Sequence, residues 1–238
     1  MTFWEHLEEL RGRLFKAIIA VVAGMLIAYF FVPYIQEILI AQFFPGGSST
    51  PLAFLAPTEG FVVKLKLSLV LGLIAASPIV FYHFWRFVAP GLYPKEKGFV
   101  MPVVLTSTVS FLTGAVFSIF ILPHATNFFL SFAVGGIENT WSFGKYIDLV
   151  VRMMLAFGLV FELPLIIYFL VRLGIVSPAF LRKHRRYAII ILLVLSAVIS
   201  PPDIFTMVVL AIPLTLLYEL SIIIAVVAHK KHQSETQS

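Results

Sequence analysis

The sequence predicts an all-α, multi-pass membrane protein with six transmembrane helices, and three observations carry that prediction. Apolar residues make up 60% of the chain and charged ones 12%, far from the roughly 45–50% and 25% of soluble domains. Apolar runs long enough to cross a hydrocarbon layer of about 30 Å recur along the chain. Lysines and arginines collect in every second connection, which by the positive-inside rule places both termini in the cytoplasm.

The first element is a short interfacial helix over residues 1–13. Phe3, Leu7, Leu10 and Leu14 fall on one helical stripe, with Glu5, Glu8, Glu9, Arg11 and Arg13 on the other face. Glu9 and Arg13 stand four residues apart, and from the pattern alone they read as a surface ion pair. Span one follows from Leu14 to Ile35. The segment before it is acidic and lacks the basic start of a cleaved signal, so span one is expected to stay.

An outer connection, Glu37 to Gly60, carries the turn-forming stretch Pro45-Gly46-Gly47-Ser48-Ser49-Thr50-Pro51. Span two runs from Phe61 to Phe84. The inner loop after it, Trp85 to Lys97, is broken by Pro90, Gly91 and Pro94, and Trp85, Phe87, Leu92 and Tyr93 give it an apolar side. Glu96 is its only acid, and between Lys95 and Lys97 the pattern alone favours a neutralised surface charge.

Span three covers Val100 to Leu122, and a second outer connection, His124 to Ile147, holds Gly135-Gly136 and the interfacial candidate Trp141. Span four, Leu149 to Val171, contains Glu162. A carboxylate near the bilayer centre costs about 2.5 kcal/mol or more on insertion scales, so such a residue faces protein or water. Two readings stand: a task inside the membrane, or a protonated or hydrogen-bonded packing group. Span five, Tyr187 to Ser200, is short, and span six, Ile204 to Ala228, is interrupted by Pro213; both are expected to cross less fully than the others. Residues 229–238 form a cytoplasmic tail. Neither outer connection has the length or charge of a separate domain, so residues 1–238 are read as one unit.

The inner segments hold Arg11, Arg13 and Lys16, then Arg86, Lys95 and Lys97, then Arg172, Arg182, Lys183, Arg185 and Arg186, and last Lys230 and Lys231. The outer side has only Lys64, Lys66, Lys145 and Arg152, all near span entrances. The net charge of +5 is mainly a by-product of this asymmetry, and nucleic-acid binding explains it poorly. The chain has no cysteine, which excludes disulfides, thiolate metal sites and a cysteine nucleophile. Neither His-Glu-x-x-His nor Gly-x-Ser-x-Gly occurs, and His6, His83, His124, His184, His229 and His232 are scattered, so no hydrolase site is assembled and no cofactor is expected.

At an offset of 86 residues the chain matches itself: Lys66 with Arg152, Gly72-Leu73 with Gly158-Leu159, Pro78 with Pro164, Tyr82 with Tyr168 and Arg86 with Arg172. Two readings stand: spans two and four are quasi-equivalent proline-kinked helices, with Ala76 standing where Glu162 stands, as a parallel repeat requires, or the match is a coincidence of the composition that membrane helices share.

A set of motifs in order carries a family resemblance. They are Glu5-His6-Leu7-Glu8-Glu9-Leu10-Arg11-Gly12-Arg13-Leu14, Pro57-Thr58-Glu59, Ala76-Ser77-Pro78 and the residues Tyr82, Trp85, Phe87, Pro90, Leu92, Tyr93 and Glu96. Phe161-Glu162-Leu163-Pro164, Arg182 to Tyr187, Pro201-Pro202-Asp203, Ala211-Ile212-Pro213-Leu214 and Leu217-Tyr218-Glu219 complete the set. The chain resembles the TatC family, the multi-span receptor subunit of the twin-arginine protein translocase. The resemblance implies a concave, cup-like bundle in the cytoplasmic membrane of a bacterium or archaeon, without enzymatic activity. It implies that Glu9, Arg11, Phe87, Pro90, Tyr93 and Glu96 bind the Arg-Arg signal peptides of folded cargo at the cytoplasmic face. It also implies that Glu162 and the region of Met207 contact single-span partner subunits of the TatA and TatB types, and that Glu59 and Asp203 serve at the outer face. Assembly of several copies and use of the proton-motive force belong to the same expectation. Many family members carry Gln where this chain has Met207, and a thioether hardly replaces an amide donor. The competing reading from the residues alone is a proton-coupled solute transporter using Glu162.

Overall fold

The computed structural model describes residues 3–43, 52–88, 100–131, 140–200 and 204–236. These residues form eight helices and one pair of very short strands. In chain order they are α1 (Phe3–Phe43), β1 (Leu52–Ala53), α2 (Glu59–Val88), α3 (Val100–Leu130), β2 (Trp141–Ser142), α4 (Phe143–Val160), α5 (Leu163–Arg172), α6 (Pro178–Lys183), α7 (Arg185–Ile199) and α8 (Ile204–Thr236).

Among the described residues, five stretches are long and apolar enough to cross a membrane: Trp4–Ala41, Glu59–Val88, Val100–Leu130, Phe143–Arg172 and Thr206–Ala228. Span five of the sequence reading forms as α7, but its 15 residues rise only about 22 Å, short of a hydrocarbon layer of about 30 Å. The expectation that the last helix is also short is corrected. Helix α8 runs unbroken for 33 residues with Pro213 inside it. A proline removes a single N–H, and within an apolar bundle neighbouring groups satisfy the carbonyl it frees.

Residues 3–13 are the opening turns of α1, one continuous helix of 41 residues that runs on into the first span. No strong helix breaker separates the amphipathic stripe from the span. Gly12 alone costs about 1 kcal/mol relative to alanine, which a long helix absorbs. The all-α expectation needs one addition: β1 and β2 pair in parallel, Leu52 opposite Trp141 and Ala53 opposite Ser142.

The chain groups into two compact units, Met1–Thr108 with Val116–Arg152 and Val109–Ala115 with Met153–Ser238. In the first, α1 and α2 pack along their length. A Cβ built on Gly24 would lie 2.7 Å from the Gly72 carbonyl oxygen, so only two glycines allow the helices this near. Trp85 Nε1 donates to Ser107 Oγ at 2.7 Å and fastens the far end of α2 to α3.

In the second unit α8 packs on α5, α7 and α6. Tyr218 Oη donates to the Leu181 carbonyl at 2.9 Å, and Arg185 pairs with Glu219 at 2.9 Å. Helix α5 ends in a Schellman motif. Ile175 N–H donates to the Leu170 carbonyl and Gly174 N–H to the Val171 carbonyl, with Gly174 at φ +70, where the lack of a Cβ is required. Ser177 then caps α6 by accepting from the Phe180 N–H at 3.1 Å, with Pro178 in the first turn. Here too a glycine sets a close approach: a Cβ on Gly158 would lie 2.6 Å from the Phe111 ring.

Span four is not one helix. It stops at Val160, turns through Phe161 and Glu162, and resumes at Leu163 with Pro164 in the first turn of α5. At the matching offset, Ala76 and Pro78 lie inside unbroken α2, so the proposed equivalence of the two spans does not extend to helix continuity. It does extend to their ends, where Arg86 Nη1 donates to Tyr82 Oη and Arg172 Nη1 donates to Tyr168 Oη.

Candidate functional site

Glu9 lies two turns into α1, ahead of the apolar run that begins at Leu14. The 3.6-residue period brings Arg13 onto the same face one turn later. Arg13 Nε donates to Glu9 Oε1 at 2.9 Å, and Arg13 Nη2 donates to the same oxygen. The pair is only about one-fifth exposed on each side, 19% for Arg13 and 20% for Glu9, so it is more sheltered than the surface pair the spacing suggested. The Arg13 hydrogen bonds hold the Glu9 carboxyl below the usual carboxylate range.

His6, one turn before Glu9, reaches its second oxygen at 3.9 Å. The His6 ring stacks on Phe87 of α2 with centroids 4.4 Å apart and planes within 16°. The structure therefore brings Glu9 and Phe87 into one cluster through His6, a residue present in the sequence motif but given no role there. Arg11 faces away from this cluster, exposed and over the Phe15 ring at 5.7 Å. Pro90, Tyr93 and Glu96 lie outside the described residues, as does Asp203.

Glu59 is the first residue of α2 and is held by four hydrogen bonds. Its Oε2 accepts from the Leu55 and Ala56 N–H groups; its Oε1 accepts from Ser142 Oγ at 2.5 Å and the Gly144 N–H at 2.6 Å. These bonds, that from Ser142 foremost, depress its carboxyl below the usual range. A Cβ at Gly144 would crowd Glu59 Cγ at 2.7 Å, so glycine makes room for the carboxylate. Glu59 is thus the fastening of the β1–β2 pair. No local pattern announced the fastening, because two of its four partners, Ser142 and Gly144, come from 83 and 85 residues away.

Glu162 is buried, with 5% of its surface exposed, and Phe157, Val160, Ile167 and Phe169 of the same stretch are buried as well. Its backbone stands at the turn: its N–H donates to the Leu159 carbonyl and its carbonyl accepts from Ile166 N–H at 2.9 Å. Met207 lies half-buried in the first turn of α8. A further charged contact of the first unit is Lys66 with Asp148, 2.5 Å apart, each more than a third exposed at 41% and 37%.

A sequence model of the family described as Sec-independent protein translocase protein (TatC) matches residues 5–213. The chain belongs to the TatC family. A TatC protein of Desulforapulum autotrophicum is 46% identical over 99% of this chain and 88% of its own length. One from Aquifex aeolicus is 41% identical, covering 97% of each chain. Among solved structures, a crystal structure of a twin arginine translocase receptor, TatC, superposes with a TM-score of 0.84 at 41% identity, over 94% of this chain and 99% of that one. A second crystal structure of that receptor, in DDM, gives a TM-score of 0.85 at 40% identity. The TatC fold and sequence together place the chain in a membrane protein translocase and outside enzymes. The solute-transporter reading is set aside on the same grounds.

Proposed function

We propose that this TatC chain receives Arg-Arg signal peptides of folded cargo at the end of α1 and α2 that carries Glu9 and Phe87. The observation that carries the reading is the Glu9 carboxylate already accepting a guanidinium, beside the flat His6–Phe87 stack. A guanidinium is permanently charged and presents a planar fork of donors, so a sheltered carboxylate next to an aromatic wall suits it better than it suits an ammonium. Glu96 supplies the second acceptor, with Arg11, Pro90 and Tyr93 completing the surface, and the apolar part of the signal lies along the spans.

In this reading α7 also crosses the membrane despite its length, giving six spans with both termini in the cytoplasm of the inner membrane and the chain acting as one unit. Glu162 and the start of α8 near Met207 take the membrane helices of single-span TatA- and TatB-type subunits. Glu59, through the loops it holds, and Asp203 serve at the opposite face. Several copies assemble around the cargo, and the proton-motive force drives export.

The test is binding of labelled Arg-Arg and Lys-Lys signal peptides to the purified protein and its Glu9→Ala, Glu96→Ala and Phe87→Ala variants. Preference for Arg-Arg that is lost in Glu9→Ala and Glu96→Ala supports the assignment. Equal binding of the two peptides by the unaltered protein overturns it.

A further inference from the structure

Arg13 sits on the same carboxylate that the signal peptide is proposed to use. Both of its donating nitrogens go to Oε1 of Glu9. The other oxygen, Oε2, is closed to solvent and accepts no hydrogen bond among the described residues, with His6 Nδ1 no nearer than 3.9 Å. The side chains that act on the Glu9 charge, Arg13, His6 and Arg86, are all basic.

A carboxylate offers roughly four lone-pair directions, and a guanidinium recognises it best by taking both oxygens in parallel. With Oε1 doubly engaged, a second guanidinium cannot adopt that fork while Arg13 stays. A signal arginine added beside Arg13 would also meet a carboxylate whose charge is already balanced, next to Arg86. Binding at Glu9 therefore requires Arg13 to leave.

We infer that Arg13 is a specificity-determining residue: it occupies Glu9 as an internal stand-in for a signal arginine, and the signal peptide binds by exchanging its guanidinium for that of Arg13. This inference rests on the reading of Glu9 as the signal acceptor. The exchange breaks one guanidinium–carboxylate pair and forms another, so it is nearly balanced for arginine. It is unfavourable for lysine, whose ammonium makes point contacts and cannot match the fork it must displace. Arginine is thus selected by competition as well as by fit.

The experiment compares Arg-Arg and Lys-Lys signal peptides on the full-length purified protein and its Arg13→Gln, Arg13→Lys and Glu9→Gln variants. Arg13→Gln is expected to bind Arg-Arg several-fold more tightly and to gain still more for Lys-Lys, so that the ratio between the two affinities shrinks. Arg13→Lys, which keeps the charge and serves if Arg13→Gln does not fold, is expected to fall between it and the unaltered protein. Weaker Arg-Arg binding in Arg13→Gln, or an affinity ratio unchanged from the unaltered protein, overturns the inference. Glu9→Gln separates the two levels: if it binds Arg-Arg like the unaltered protein, the acceptor reading itself fails. If it loses binding while the Arg13 variants keep the original ratio, only the exchange fails.

Discussion

Gly24 of α1 and Gly72 of α2 meet backbone to backbone, with room for no side chain between them. Small residues at a crossing let transmembrane helices approach closely enough for dispersion to hold them, which matters in lipid, where apolar side chains gain nothing by leaving solvent. The same arrangement recurs in the second unit, where a Cβ on Gly114 would lie 3.0 Å from the Gly158 Cα. Gly72 and Gly158 stand 86 residues apart, at matching positions of the offset noted in the sequence, and each lies at a helix crossing.

Gly24→Val should therefore lower stability by about 1–3 kcal/mol, the range for overpacking a tight contact. Gly12→Ala, in the same helix but with nothing within 4 Å of its Cβ position, should be neutral or stabilising. Thermal unfolding in detergent of the two variants, side by side, distinguishes crowding from a general intolerance of change in α1.

Glu59→Ala should free both loops that the carboxylate joins. Its depressed carboxyl makes the contribution pH-dependent with a definite sign: the bonds favour the folded state above the ordinary carboxylate value of 4.5, and that stabilisation is lost as pH falls through the lower folded value. Melting curves from pH 7 to pH 3 should show an acid-side decline in the unaltered protein that is reduced in Glu59→Gln. Equal declines in both would remove Glu59 from its place as the fastening.

The Lys66–Asp148 pair is short but more than a third exposed on both sides. A double-mutant cycle with Lys66→Met and Asp148→Asn should give a coupling below about 1 kcal/mol, shrinking further with added salt. A coupling of several kcal/mol would mean that the pair is shielded by lipid or a partner.

Glu162→Ala should weaken association with single-span subunits while leaving signal-peptide binding near normal, because Glu9 and Glu162 belong to different compact units. Co-purification and peptide binding measured on the same preparations test both halves. A large loss of peptide binding with association intact would reverse the assignment.

The long apolar helices were legible from hydropathy alone, since lipid imposes one rule on every residue in a span. Helix breaks were not. Pro33, Pro78, Pro123 and Pro213 lie inside continuous helices, whereas the chain turns just before Pro164, so proline by itself does not mark the interruption. The Glu9–Arg13 contact was legible because one helical period fixes it. The His6–Phe87 stack and the Glu59 bonds to Ser142 and Gly144 were not, since each joins segments more than 80 residues apart and β1 and β2 are two residues long, too short to show an alternating pattern.

The two oxygens of Glu59 answer to different parts of the chain. Oε2 takes donors from Leu55 and Ala56, which leave the ribosome just before it, whereas Oε1 waits for Ser142 and Gly144, the latter 85 residues later. At roughly 5–20 residues per second that delay is about 4–17 s. One oxygen of Glu59 is thus satisfied by residues beside it in the chain, while the other has donors only once the segment leading into α4 has been made.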